Sequence, residues 1–215
     1  MRNLSKSLFI LVGLGGAASA NGFYLNEHDA KGTGRAGATI ATNTDPTAIV
    51  FNPGGIAVGE GTAVSVGGSL IVAAASYTGT DGVKTDTDSP PAILPSAMIT
   101  HRINDMFAVG IGFHLPFGLA VSWPDSSPQA GTVTKQSLRT YFITPAVGVN
   151  LDKQVPGLSI GAGLDLVPST VQLEQNLYFG NETGSAVLGG TAFGIGGRVG
   201  VQYRPAAEKR LSFGL

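Results

Sequence analysis

The 215-residue chain contains no cysteine, which excludes a disulfide scaffold, a thiol nucleophile and a cysteine-ligated iron–sulfur site. Charge is scarce: Asp, Glu, Lys and Arg make up 13% of residues, with 13 basic against 14 acidic. Neither a disordered solvating chain nor a general nucleic-acid binder has that balance. A long apolar run is also missing. After the first twenty residues the longest apolar stretch lies around Leu70 to Ala75, far below the roughly 18 residues of a helical membrane span. Glycine is plentiful instead, at 32 residues alongside 12 prolines, too many for a helical bundle but suited to many strands joined by turns.

The first twenty residues read as an address. Arg2 and Lys6 give a basic start, Leu8 to Leu14 an apolar centre, and Ala18-Ser19-Ala20 a small-residue cleavage site. This is the layout of a secretory signal peptide over residues 1–20, with cleavage before Asn21 and export from the cytoplasm. The apolar part is too short to serve as a membrane anchor. If the remainder sits in a membrane, it does so as strands.

The chain after residue 61 has a period of two. Phe107, Val109, Ile111, Phe113, Leu115, Phe117, Leu119, Val121 and Trp123 alternate with Ala108, Gly110, Gly112, His114, Pro116, Gly118, Ala120 and Ser122. The same rhythm recurs around Val64–Val72, Ser96–Ile103, Tyr141–Leu151, Leu158–Leu166 and Phe193–Tyr203, and Leu211–Leu215 begins a seventh strand. A soluble β-sandwich shares this period. A lipid-embedded barrel accounts better for the glycine-rich second face with isolated charges such as Asp165 and Arg198, and for Tyr77, Trp123, Tyr141 and Tyr203 near strand ends. Connections also alternate. Asn104-Asp105, Asp152–Gly157 and Pro205–Lys209 are short, whereas Thr78–Leu94, Pro124–Arg139 and Asn176–Gly190 are long. Outer-membrane barrels have short periplasmic turns and long outer loops. The expected fold is therefore all-β, a transmembrane antiparallel β-barrel with about six to seven strands present over residues 62–215. Residues 21–61 do not alternate, and a stretch that long reads as a plug before the barrel.

Several motifs in order resemble the FadL outer-membrane transporter family. They are Gly22-Phe23-Tyr24-Leu25-Asn26-Glu27, then Gly32-Thr33-Gly34-Arg35-Ala36, Asn52-Pro53, Ile103-Asn104-Asp105 with Phe107, and Phe117-Gly118-Leu119-Ala120. The resemblance implies a fourteen-stranded barrel closed by an N-terminal hatch that includes Arg35, Asn52 and Pro53. It implies passive uptake of long-chain fatty acids or hydrocarbons, with lateral exit through a gap at a kinked third strand. Pro116, Phe117 and Gly118 would form the kink, since proline removes a ladder donor and glycine permits a bulge; an ordinary bulge that re-aims the strand is the competing reading. Phe23 and Leu25 would reach the ligand pocket, with Gln175 as a polar ligand contact. From the residues themselves, Arg35 in the plug and Arg198 on a lumen face are the best polar ligand candidates, and for both a salt bridge tying hatch to wall is the competing role.

Two departures from the family pattern stand out. Six strands and a stub cannot make fourteen, so the sequence reads as the N-terminal half of a longer barrel, a fragment or a truncated product. Gln175 occupies a position where the fatty-acid carriers are expected to place an arginine; an amide hydrogen-bonds but carries no charge, which favours neutral hydrocarbons.

The other chemistries are weaker. Gly32 to Gly37 fits a dinucleotide-loop spacing, but no hydrophobic strand precedes it, so these are turn glycines. His28, His101 and His114 fall on separate segments, and no metal site or cofactor is expected. An outer-membrane lipid hydrolase would lack a G-x-S-x-G elbow. A small structural or adhesive barrel is the remaining alternative. The expected partners are a hydrophobic ligand and outer-membrane lipid, with no nucleic acid, and the full-length protein is expected to be monomeric and not an enzyme.

Overall fold

The computed structural model describes residues 24–25, 28–80, 82–205 and 210–215, apart from the side chain of Leu119. The expected signal peptide and Phe23 lie outside the described residues. Among them no helix is long and apolar enough to cross a membrane.

The main sheet has seven antiparallel strands in the order β1-β4-β5-β6-β7-β8-β9. These are β1 Thr62–Ile71, β4 Ala92–Arg102, β5 Phe107–Ser122, β6 Lys135–Asn150, β7 Leu158–Phe179, β8 Glu182–Tyr203 and the stub β9 Phe213–Gly214. Two short strands, β2 Ser76–Thr78 and β3 Lys84–Asp86, pair with each other inside the first long connection, so Tyr77 stands on that hairpin rather than on the wall. The sheet curls into a half-barrel. One end, here called lower, carries the β4–β5, β6–β7 and β8–β9 connections; the upper end carries the β1–β4, β5–β6 and β7–β8 connections.

Outward positions carry the bulky apolar residues. Val66 is 79% exposed, Ile195 72% and Val199 83%. Rows of bare aliphatic side chains of this extent belong in hydrocarbon rather than water. The inner, concave face carries Gly110, Gly112, Gly148, Gly161, Gly163 and Gly200, with Asp165 and Arg198 among them. That alternation matches the expected lumen.

One expected connection is absent. Asn176–Gly190 is not a long loop: β7 and β8 each run 22 residues and meet at a turn through Gly180 and Asn181, with Gly180 at φ 65°. Likewise β6 begins at Lys135, inside the segment expected to be the second loop. At a rise of about 3.3 Å per residue, strands this long exceed the roughly 9–11 residues that cross a bilayer, so the β7–β8 hairpin projects beyond it.

Residues 28–58 pack against the concave face. Two short helices, α1 Ala30–Gly34 and α2 Ala48–Phe51, are followed by a 3₁₀ turn, Pro53–Ala57. The Asp29 side chain caps α1 by accepting from the Gly32 N–H. Asn52 caps the 3₁₀ turn, with Pro53 at the first position, where its missing N–H costs nothing. The core is this segment against the wall: Ala48, Ile49, Val50 and Ile56 with Met98, Ala108 and Ala146.

Candidate functional site: the inner segment and the slit in the wall

The wall glycines are recesses for the inner segment. A Cβ on Gly110 would lie 2.9 Å from Ile49 Cδ1, and one on Gly148 2.7 Å from Ile56 Cγ1. On Gly161 it would lie 2.3 Å from the Pro53 carbonyl, and on Gly200 2.1 Å from Asn52 Oδ1. Packing this close leaves no room for a methyl group.

Polar links fix the same segment. Arg198 forms a charge-assisted pair with Asp165, Nη2 to Oδ1 at 2.8 Å and Nε donating at 3.0 Å, while Nη1 donates to the carbonyls of Val50 (2.8 Å) and Ile49 (3.3 Å). Those carbonyls end α2, so the guanidinium satisfies groups a helix terminus leaves open. Thr144 Oγ1 donates to Asp165 at 2.6 Å. Asn52 Nδ2 donates to the carbonyls of Ile40 (2.9 Å) and Val201 (2.8 Å), and Gln202 Nε2 donates to those of Asn43 and Ile40.

The wall is interrupted at β5. Pairing of β4 with β5 runs from Arg102↔Ala108 to Ala97↔Phe113 and stops there, leaving residues 92–96 without β5 partners. At the same level the β5–β6 register shifts between His114↔Phe142 and Phe117↔Thr140, so Leu115 and Pro116 stand opposite Tyr141 alone. This is a β-bulge, with proline supplying no ladder donor. A cleft of about 380 Å³ occupies the outer side of the gap, lined by Pro91–Pro95, Leu115, Gly118, Ala120, Arg139 and Tyr141.

Inside the gap Leu25 and His28 are tied across it. Ser96 Oγ on β4 donates to the His28 carbonyl at 2.8 Å, and the Leu25 N–H donates to the Pro116 carbonyl on β5 at 2.8 Å. An aromatic cluster fills the space behind. Tyr24 and Phe117 meet edge-on at 5.5 Å, Phe117 and Phe142 lie 6.2 Å apart, and the rings of His28 and His114 lie 4.8 Å apart. His114 is fully buried and neither ring nitrogen has a hydrogen-bond partner. No group of three or more potential metal ligands exists among the described residues.

Above this level the two faces exchange character. The bulge shifts β5 by one residue, turning Phe117 and Val121, expected outward, to the inner face beside Thr140 and Gln136. On β6, β7 and β8 the inner face becomes apolar, with Leu138, Val171, Leu173, Leu177 and Leu188, while Lys135, Gln172, Glu174 and Asn176 face outward. Gln175 shares the apolar inner wall, opposite Ala186, and its amide has no partner among the described residues.

The expected site residues thus divide. Pro116, Phe117 and Gly118 frame the gap, and Leu25 touches it. Arg198 has its donors taken up by Asp165 and the inner segment, as in the hatch-to-wall role. Asn52 and Pro53 seat the segment, whereas Arg35 lies exposed, donating to Thr42 Oγ1 at 3.1 Å. His28 and His114, on separate stretches of sequence, are brought together by the fold; His101 stays apart on the outer face, bonded to Thr62. Ser96, Asp165 and Thr144 were not legible as a set, because only strand register makes them neighbours.

A half-barrel with an aliphatic outer belt, an inner segment keyed to a glycine wall and an interrupted third long strand defines a plugged outer-membrane β-barrel. The family described as "Outer membrane protein transport protein (OMPP1/FadL/TodX)" matches residues 11–215, and the chain belongs to it. Outer membrane protein P1 of Haemophilus influenzae is 27% identical over 203 residues, covering 82% of this chain and 42% of that protein. Among solved structures, a Pseudomonas aeruginosa FadL homologue superposes with TM-score 0.64 at 19% identity, over 87% of this chain and 50% of that one. The Ralstonia pickettii toluene transporter TbuX gives TM-score 0.58 at 21% identity, over 78% and 51%. The chain spans about half the length of these relatives. It is an outer-membrane protein.

Proposed function

We propose that the complete protein carries hydrophobic small molecules, long-chain fatty acids or hydrocarbons, passively across the outer membrane. The carrying observation is the apolar inner wall above residues 24–58: Leu138, Val171, Leu173 and Leu188 face a lumen that is polar and glycine-lined below. Apolar burial there would supply affinity at about 25 cal/mol per Å². Residues 21–61 act as a hatch, and the short lower turns face the periplasm. The ligand leaves sideways between β4 and β5, because lipid is the favourable phase for it and a water-filled channel is not. Names of related structures point the same way, since they include a toluene transporter and a monoaromatic hydrocarbon channel.

Deleting Pro116 from the full-length protein tests the route. One residue fewer restores one-to-one pairing of β5 with β6 without changing which face any upper residue takes. Uptake of toluene and dodecanoate by cells should fall about tenfold, equivalent to about 1.4 kcal/mol. Heat-modifiable mobility of the barrel on gels should persist. Unchanged uptake with restored pairing would overturn the lateral route.

A further inference from the structure

Among the described residues, Arg139 is the one Lys or Arg side chain with neither a hydrogen bond nor an ion pair. It lies on the outer face of β6, above Tyr141, Ile143 and Val147 and below Ser137 and Lys135. That places it where the aliphatic belt ends and polar residues begin. Its partner across β5 is Gly118, which has no side chain to block the guanidinium from reaching over the bulge. On the other neighbour it faces only Thr170, an uncharged residue. The guanidinium therefore forms the polar rim of the otherwise mostly apolar cleft between β4 and β5.

A guanidinium at the lipid boundary, with donors set in a planar fork and no acid beside it, is built to receive a carboxylate or phosphate. The cleft at about 380 Å³ is at the small end of the range for small-molecule sites, suited to one chain rather than a multi-chain lipid. Its floor is Leu94, an inward-pointing residue 2.9 Å from where a Gly118 Cβ would sit, so the cleft adjoins the interior. We infer that the cleft is a carboxylate-recognising exit site: a single-chain fatty carboxylate emerging between β4 and β5 lays its chain along Leu94 and Leu115 and its head on Arg139. This rests on the lateral route proposed above and adds to it a residue, Arg139, that selects the carboxylate over the neutral ligand. Gln175 on the inner wall supplies no positive charge, so selection for a carboxylate would operate at the exit.

The absence of cysteine lets a single Ala120→Cys label report on the cleft. The labelled full-length protein in phospholipid nanodiscs is titrated with dodecanoate and with dodecan-1-ol, as wild type at position 139, Arg139→Gln and Arg139→Lys. Arg139→Gln should weaken dodecanoate binding about tenfold, equivalent to about 1.4 kcal/mol, and leave the alcohol within about twofold. Arg139→Lys should recover part of the carboxylate preference. Equal affinity of acid and alcohol in all three proteins would overturn the carboxylate site while leaving the lateral route standing. Failure of both ligands to reach the label would overturn both. Occupancy that lipid A abolishes, and dodecanoate cannot displace, would assign Arg139 to a resident lipid phosphate and likewise overturn the inference.

Discussion

Arg198 and Asp165 meet on the inner wall at 2.8 Å, with their side chains 17% and 8% exposed. Arg198 is the only member of the pair that also reaches the inner segment, through the carbonyls of Ile49 and Val50. Removing it alone would strand a buried carboxylate. Arg198→Gln should therefore destabilise the full-length protein by about 3–5 kcal/mol, and the double variant with Asp165→Asn by less. Denaturant midpoints of the two variants compare them directly; a double variant no more stable than the single one would contradict this account.

The glycine recesses make a position-specific prediction. Gly161→Ala and Gly200→Ala should dislodge the inner segment, because each methyl would meet Pro53 or Asn52 well inside contact distance. Gly190→Ala on the same strand as Gly200 meets only Val171 Cγ1 at 3.5 Å and should be neutral. Limited proteolysis between residues 28 and 58 reads the difference. Equal cleavage of all three variants would show that the recesses do not seat the segment.

Acid should loosen the segment through Asp45. Burial alone would raise its carboxyl, but hydrogen bonds from Lys31 and Thr47, with the Lys31 charge, hold it below its usual value. A carboxyl lowered on folding contributes stability that is complete above its unfolded pKa, about 3.9, and disappears as pH falls through the lower folded value. Proteolytic protection should thus decline below about pH 4 in the wild type. Asp45→Asn should flatten that part of the profile; an unchanged profile would rule the pair out as its source.

Gln175 offers a specificity test on the inner wall. Gln175→Arg in the full-length protein should raise binding of dodecanoate over dodecan-1-ol about tenfold, by adding a charge-assisted hydrogen bond of about 1.5–3 kcal/mol less the loss to solvent screening. An unchanged acid-to-alcohol ratio would remove Gln175 from the ligand path.

The lower half of the wall was legible because one rule holds there: bulky apolar residues outward, glycine and polar residues inward. Leu158 to Leu166 and Phe193 to Tyr203 obey it, and they pair as the alternation requires. The upper half obeys the same period with the faces exchanged. Val171, Leu173 and Leu177 point inward, so the outward hydrophobic stripe of β7 ends at Leu166 while the strand continues to Phe179. Asn176–Gly190 therefore reads as a loop in sequence, although it is paired strand on either side of a turn at 180–181. At β5 the single inserted residue does the same thing: Pro116 and Gly118 signalled an irregularity, but only the register shows that Phe117 changes sides. The Arg198–Asp165 pair and the contact of His28 with His114 depend on neighbours 33 and 86 positions apart, which no local pattern encodes.

The recesses at Gly110, Gly148, Gly161 and Gly200 all grip the stretch from Ile49 to Ala57, whereas Tyr24, Leu25 and His28 are held by hydrogen bonds with Ser96 and Pro116 and by ring contacts with Phe117 and His114. The insert is thus held by two unlike means, backbone-deep recesses at its foot and hydrogen bonds with ring packing across the seam at Tyr24, Leu25 and His28. Displacing Tyr24 and Leu25 would bare the β4–β5 seam while leaving the Arg198–Asp165 pair intact.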